Sequence, residues 1–285
     1  MIRREENGKF ILIAQDDHAK LSGEMSKHIG NGAFESLLAR SPEWGQRAIN
    51  AIALHDSGWP EHDNAPTINT RQQPRDVFES KHDMSMELWT ASADHAQAVD
   101  PYEGLMVSLH GLALSVIALS DVMHQFSRKN LAYTRERFDL NRFQHNEVER
   151  QSALRTQLGL RMDLPLHYGL TDLGLDPRED LLIHHFRTLQ AMDRLSLALC
   201  CTRSPFESID LPHHPGNPLT RVRIKRISER VLVMDPWIFD QPSLTVTVPA
   251  HVLPVQTYVG EAAFHAAYAF AEKVTLEFVL QPGKP

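Results

Sequence analysis

The sequence predicts a mainly α protein, a helical bundle with a small β-sheet formed from an N-terminal hairpin and C-terminal strands. Three observations carry this expectation. Apolar residues recur at helical spacing in several long segments between residues 15 and 201. Asn7-Gly8, a dipeptide suited to a tight turn with positive φ, separates two short β-type runs at the N-terminus. After Pro205, β-branched residues and strict alternation take over. The chain has 285 residues, of which 42 % are hydrophobic, enough to bury a real core. The expected division is a hairpin over residues 1–14, a helical metal-binding core over 15–205, and an α/β extension over 206–285 that shares a sheet with the N-terminus.

Taken in order, residues 2–5 and 10–13 flank the turn as strands. Asp16 and Asp17 offer an N-cap for a helix running to about residue 29, which Asn31-Gly32 breaks. A short helix is expected over 34–39, ending before Pro42, and a third over 43–56, with Gly58 and Pro60 as stop signals. Residues 60–74, rich in Pro, Asn, Asp and Thr, read as a loop. Helices resume over 84–98 and 104–126. The charged, amphipathic stretch 128–161 reads as one long surface helix or a pair. A loop over 165–177 leads to a strong helix over 179–201. Pro212, Pro215 and Pro218 punctuate a connection to strands at 222–227, 231–234, 244–248 and 274–280, with a helix at 260–271 before the last.

Composition excludes several classes. The formal charge of −7 is spread along the chain, and no long basic stripe is present to neutralise a phosphate backbone, so no nucleic-acid partner is expected. The basic cluster at 221–226 alternates with apolar residues, as a solvated strand face does. The two cysteines, Cys200 and Cys201, are adjacent in a helix and cannot readily meet disulfide geometry, which points to a reducing, cytoplasmic setting. The most apolar run, 105–119, is shorter than a membrane span and contains His110, Gly111 and two serines, so it reads as a buried helix with no membrane role. No nucleophile elbow, phosphate-binding Gly-rich loop or His-Glu-x-x-His helix occurs.

The informative feature is polar residues placed inside apolar stripes. On the 179–201 helix, Asp193 falls in the centre of a face built by Leu182, Phe186, Leu189, Leu197 and Cys200. Desolvating a carboxylate there costs several kcal/mol (about 3–5 if it is left unpaired) unless a partner or a cation compensates. His18 lies in line with Leu21, Met25 and Ile29; His55 continues the stripe of Trp44, Ala48, Ala51 and Ile52; His110 aligns with Met106, Ala113 and Ile117. Each histidine alone reads more readily as a satisfied core residue than as a ligand. If the helices pack together, however, these groups and Asp56 meet, and a divalent cation solves the desolvation of all of them at once. Imidazole with carboxylate suits Fe, Mn, Zn, Ni or Co.

The segment Ala51-Ile52-Ala53-Leu54-His55-Asp56-Ser57-Gly58 resembles the HD superfamily of metal-dependent phosphohydrolases, whose hallmark is an apolar helix ending in His-Asp with a glycine two residues later. His18 matches that superfamily's earlier histidine, and Asp193, in Ala191-Met192-Asp193-Arg194-Leu195-Ser196, its final aspartate; the resemblance covers residues 15–201. Trp59 stands where many hydrolytic members carry lysine. The whole chain, with its Gln15-Asp16-Asp17-His18-Ala19 opening and its Asp193-Arg194-Leu195-Ser196-Leu197 segment, is also similar to a bacterial family described only as a domain of unknown function, which implies no activity.

The HD resemblance implies an HD-like helical fold and hydrolysis of a phosphoester or nucleotide-like small molecule by metal-activated water. It implies one or two divalent transition-metal ions held by His18, His55, Asp56 and Asp193. His110 is the first candidate for a second site, with His82, His95 and His124 behind it. Asp56 and His110 count among the candidate catalytic residues. In the loop after the ligand helix, His62 or Asp63 would serve as general acid or base and Arg71 or Arg75 would hold a phosphate, against an ordinary surface-loop role for each. Two further readings stay open: a di-iron HD-type oxygenase, and an HD-like ligand-binding or signalling module without turnover.

Overall fold

The computed structural model describes residues 1–129, 135–160, 177–203 and 206–283. About 51 % of the chain is helical, and a curled seven-stranded mixed sheet makes up 22 %. The fold is therefore mixed α/β, which corrects the expectation of a mainly α helical bundle with a small sheet. Strands β1 (Ile2–Glu6) and β2 (Lys9–Ile13) form the hairpin, with Asn7 and Gly8 at φ 52° and 72° as its turn requires. Helices α1 (Gln15–Ser26), α2 (Pro42–Leu54), α3 (Pro60–Asn64), α4 (His82–Val99), α5 (Pro101–Lys129), α6 (Arg135–Gln157) and α7 (Pro177–Cys200) follow. Then come β3 (Ser208–Pro212), β4 (Leu219–Ser228), β5 (Val231–Asp235), β6 (Leu244–Pro254), α8 (Glu261–Ala269) and β7 (Glu272–Pro282).

The strand order is β1-β2-β6-β7-β5-β4-β3; β5 and β7 are parallel and the other pairs antiparallel. The hairpin enters the sheet through β2, whose Leu12 lies opposite His251 of β6. The sheet outgrew its expectation for local reasons. Pro249 hides the continuity of β6, which runs on to Pro254; β2 pairs only with the segment beyond it, so a residue without an N–H is tolerated there. The proline-marked connection conceals β3, which lies on the sheet edge.

Alternation along β2 serves two cores. Ile11 and Ile13 join the main core with Leu21, Ile52, Leu105 and Leu189, whereas Phe10 and Leu12 pack with Tyr258 and Phe264 on the α8 side. Two local expectations are corrected. Residues 34–39 form turns rather than a helix, because Asn31 accepts from the N–H groups of Ala33 and Phe34 and Phe34 stacks on His213. Helix α1 starts at Gln15, with Ala14 at its N-cap, so Asp16 and Asp17 occupy the first turn instead of capping it. The expected loop over 165–177 falls largely outside the described residues. By length and composition Pro101–Met123 could cross a membrane; 67 % of its most apolar window is buried within the fold.

Candidate metal centre

Helices α1, α2, α5 and α7 pack together; α1, α5 and α7 each bring one polar group to the same place, and the C-terminal end of α2 brings two. His18 comes from the first turn of α1 and is fully buried; His55 caps the C-terminal end of α2, and Asp56 follows in the turn. His110 lies in α5 and Asp193 in α7, at 4 % and 8 % exposure. His18 Nε2 is 2.9 Å from Asp56 Oδ2. His55 Nε2 is 3.6 Å from Asp56 Oδ2 and 3.5 Å from Asp193 Oδ1; His110 Nε2 is 3.8 Å from Asp193 Oδ2. The rings meet edge-on, His55 lying 5.0 Å from His18 and 5.1 Å from His110 between centroids.

Hydrogen bonds behind the rings determine which nitrogens face inward. His55 Nδ1 donates to the carbonyl of Ile52 at 2.7 Å, since a carbonyl can only accept. Its Nε2 is buried and has no hydrogen-bond partner. His18 Nδ1 lies 2.8 Å from Ser196 Oγ, whose hydroxyl donates to the Asp193 carbonyl and accepts from Ser22. Ser196 is therefore an acceptor for His18, whose Nδ1 carries the proton. Both Nε2 lone pairs then point at carboxylate oxygens, an arrangement that repels unless a proton or a cation lies between. Gln15 Nε2 donates to Asp56 Oδ2 at 3.2 Å and fixes that carboxylate.

Without an ion, the charge demand falls on His55. Burial opposes its protonation, but Asp56 and Asp193 outweigh burial and lift its pKa to about 9. Burial also opposes ionisation of the two carboxylates, yet His55 and its neighbours hold Asp56 below the usual carboxylate range and Asp193 well below it. His110 behaves oppositely: burial pushes it down to about 4 against the pull of Asp193, so it is neutral at pH 7. Two groups, His18–His55–Asp56 and His55–His110–Asp193, have ligand atoms within 4.8 Å of one another and could each hold a metal ion. Bonds of about 2.0–2.1 Å place tetrahedral ligand atoms about 3.3–3.4 Å apart. The spacings of 3.5 and 3.6 Å around His55 need only a small contraction to meet that.

The cluster closes the inner end of a cavity of about 340 Å³. Asp56, His110 and Asp193 line it, together with Trp59 and the α5 residues out to Asp121. Of residues 59–63, which follow the ligand turn, Trp59 alone is part of this lining. Asp63 is buried elsewhere; its carboxylate holds the Met1 amino group at 2.8 Å and the Gln15 N–H at 2.5 Å. His62 packs edge-on against Trp59, 5.7 Å between centroids, and burial with the nearby amino terminus lowers its pKa. Arg71 pairs with Glu79, and Arg75 bonds Thr67 and the carbonyls of Ile68 and Glu79, so both organise their own loop. His82 reaches the cavity and bonds Glu136 at 2.6 Å; His95 bonds the Ser57 carbonyl from an exposed position. The side chain of His124 lies outside those described. The sequence alone assigns no role to Gln15, Ser22 or Ser196. The i, i+3 spacing of Ser196 from Asp193, which puts both on one helix face, was the available signal for the last.

No curated protein and no solved structure matches the chain. Residues 1–255 match the family described as Protein of unknown function (DUF3891), and with most of its length covered the chain belongs to that family.

Proposed function

We propose that this protein is a metal-dependent hydrolase of the HD type that acts on a phosphoester of a small molecule. The observation that carries the reading is the convergence of two inward-facing imidazole Nε2 atoms on two carboxylates at the inner end of a cavity. His18, His55, Asp56 and Asp193 would hold one divalent Fe, Mn, Zn, Ni or Co ion. Such an ion supplies Lewis acidity toward a phosphoryl oxygen and a lowered pKa for water. The protein's residues supply the rest. Ile52 and Ser196 orient the two rings, Gln15 orients Asp56, and neutral His110 offers a nitrogen for direct ligation or for a hydrogen bond at the reacting water.

A single ion is favoured over a two-iron centre by His55. It belongs to both ligand groups, but its Nδ1 is committed to Ile52, so one lone pair remains for one ion. The test loads the chain separately with Mn, Fe, Co, Ni and Zn and follows phosphate release from an aryl phosphomonoester and a bis-aryl phosphodiester, with and without oxygen. Expected is metal-dependent release, insensitive to oxygen, that falls at least about a hundredfold in Asp56→Asn. Oxygen-dependent turnover would favour the oxygenase. Full metal loading without turnover on either ester would favour a binding module.

A further inference from the structure

The cavity above the cluster has a chemistry of its own. Its α5 wall runs from His110 through Ala113, Leu114 and Ile117 to Asp121, eleven helical steps or about 16 Å of helix axis. Four aromatic side chains, Phe78, Trp59, Trp89 and Phe206, stand among the other lining residues. At about 340 Å³ it lies at the small end of the usual range for ligand pockets, about 300–1,000 Å³. Among the described lining residues the one permanent cation is Arg194. It neighbours Asp193 in sequence, and its guanidinium lies over the Phe206 ring, 5.7 Å from the centroid. No carboxylate among the described residues comes within ion-pair distance of it. A partly buried guanidinium, placed over an aromatic ring next in sequence to a metal-type ligand and lacking an anionic partner among the described residues, is prepared for an anion from outside the chain.

We infer that Arg194 is the anion-binding, specificity-determining residue of this cavity, and that the ligand is a compact monoester carrying one phosphate on a flat apolar or aromatic body. The identity of the anion as phosphate rests on the hydrolase reading; the existence of the subsite does not. The phosphate lies between Arg194 and the His/Asp cluster, and the body extends along the apolar α5 wall between the aromatic rings. A triphosphate chain running outward along that wall would pass apolar side chains and end at the Asp121 carboxylate, which disfavours it.

The test measures binding of 1-naphthyl phosphate, 1-naphthol, glycerol phosphate and adenosine triphosphate by calorimetry. The full chain is used as purified and again after dialysis against a chelator, so that Arg194 is read apart from any metal. Expected is tightest binding of 1-naphthyl phosphate, retained in part after chelation. In Arg194→Gln its affinity should fall at least about tenfold, with 1-naphthol affected less than about twofold. Arg194→Lys keeps the charge but not the planar fork, and should fall between the two. Circular dichroism and thermal melts establish that each variant is folded. Equal binding of naphthyl phosphate and naphthol, unchanged binding in a folded Arg194→Gln, or preference for the triphosphate overturns the inference. Arg194-dependent binding with no phosphate release under any metal upholds the subsite and overturns the hydrolase reading instead.

Discussion

Substituting Gly23 with alanine tests how the helices space the ligands. Gly23 lies on α1, five residues after His18, where α1 crosses α2 against Ala53, two residues before His55. A Cβ at Gly23 would lie 2.6 Å from the Ala53 Cβ and 3.0 Å from its Cα. Carbon atoms pack at about 3.5 Å or more, so the helices must separate by roughly 0.9 Å. Overpacking of this kind costs about 1–3 kcal/mol, and replacing glycine in a helix returns up to about 1 kcal/mol. The net stability loss is expected to be small, about 0–2 kcal/mol. Metal affinity should suffer more, because ligand distances tolerate only about 0.2 Å and His18 moves relative to His55 and Asp56. A loss of about 10–100-fold in zinc affinity is expected, the scale seen when groups that position ligands are disturbed. Urea melts and competitive zinc titration give the two quantities. Gly32→Ala, where an added Cβ meets nothing within 4 Å, is the control. Wild-type zinc affinity in folded Gly23→Ala would refute the claim that this helix contact sets the ligand spacing.

Other perturbations have equally definite outcomes. His184 and His185 are buried in α7, and burial lowers their pKa to about 4 and about 3. Their folded values lie below the unfolded value of about 6.5, so the unfolded chain binds more protons in this window and stability falls as pH drops below 6.5. Between pH 7 and pH 5 each should cost about 2 kcal/mol, and urea melts of chelator-treated His184→Gln/His185→Gln should show a correspondingly flatter pH dependence. An unchanged slope would count against the buried neutral state. Arg4 is fully buried and donates to the carbonyls of Leu199 and Cys201 at the end of α7 and to Glu229. Arg4→Met should therefore lower stability by about 3 kcal/mol in denaturant melts, through orphaned carbonyls. A loss under about 1 kcal/mol would mean water replaces the guanidinium there.

The polar groups of the cluster were legible because each breaks a helical stripe. His55 and His110 have no polar neighbour at i±3 or i±4, while His18 shares its face with Leu21 and Met25 and Asp193 shares its face with Leu189 and Leu197, so all four lie on stripes that turn inward. What periodicity could not supply was the loop. Residues 60–64 follow a ligand turn in sequence, but α3 carries Asp63 toward Met1 and Gln15, a contact between residues far apart in the chain that no local pattern encodes. The supporting hydroxyl of Ser22 was invisible for a related reason, since a serine on a helix is ordinary until its partner on another helix is known. The sheet was underestimated where proline ended a reading early: β6 passes through Pro249, and β3 ends on Pro212. Helix α2, in contrast, carries its N-terminal signal openly, with Ser41 accepting from the Trp44 N–H ahead of a proline in the first turn.

The most direct test of the central claim is elemental analysis of the chain purified without chelator, beside Asp193→Asn prepared identically. Asp193 faces both His55 and His110, and the asparagine keeps its shape while removing the charge. The cluster should carry about one transition-metal ion per chain in the wild type, and the variant should stay folded and lose most of it. Folded wild-type protein that contains no metal and takes up none of Mn, Fe, Co, Ni or Zn on titration would contradict the account.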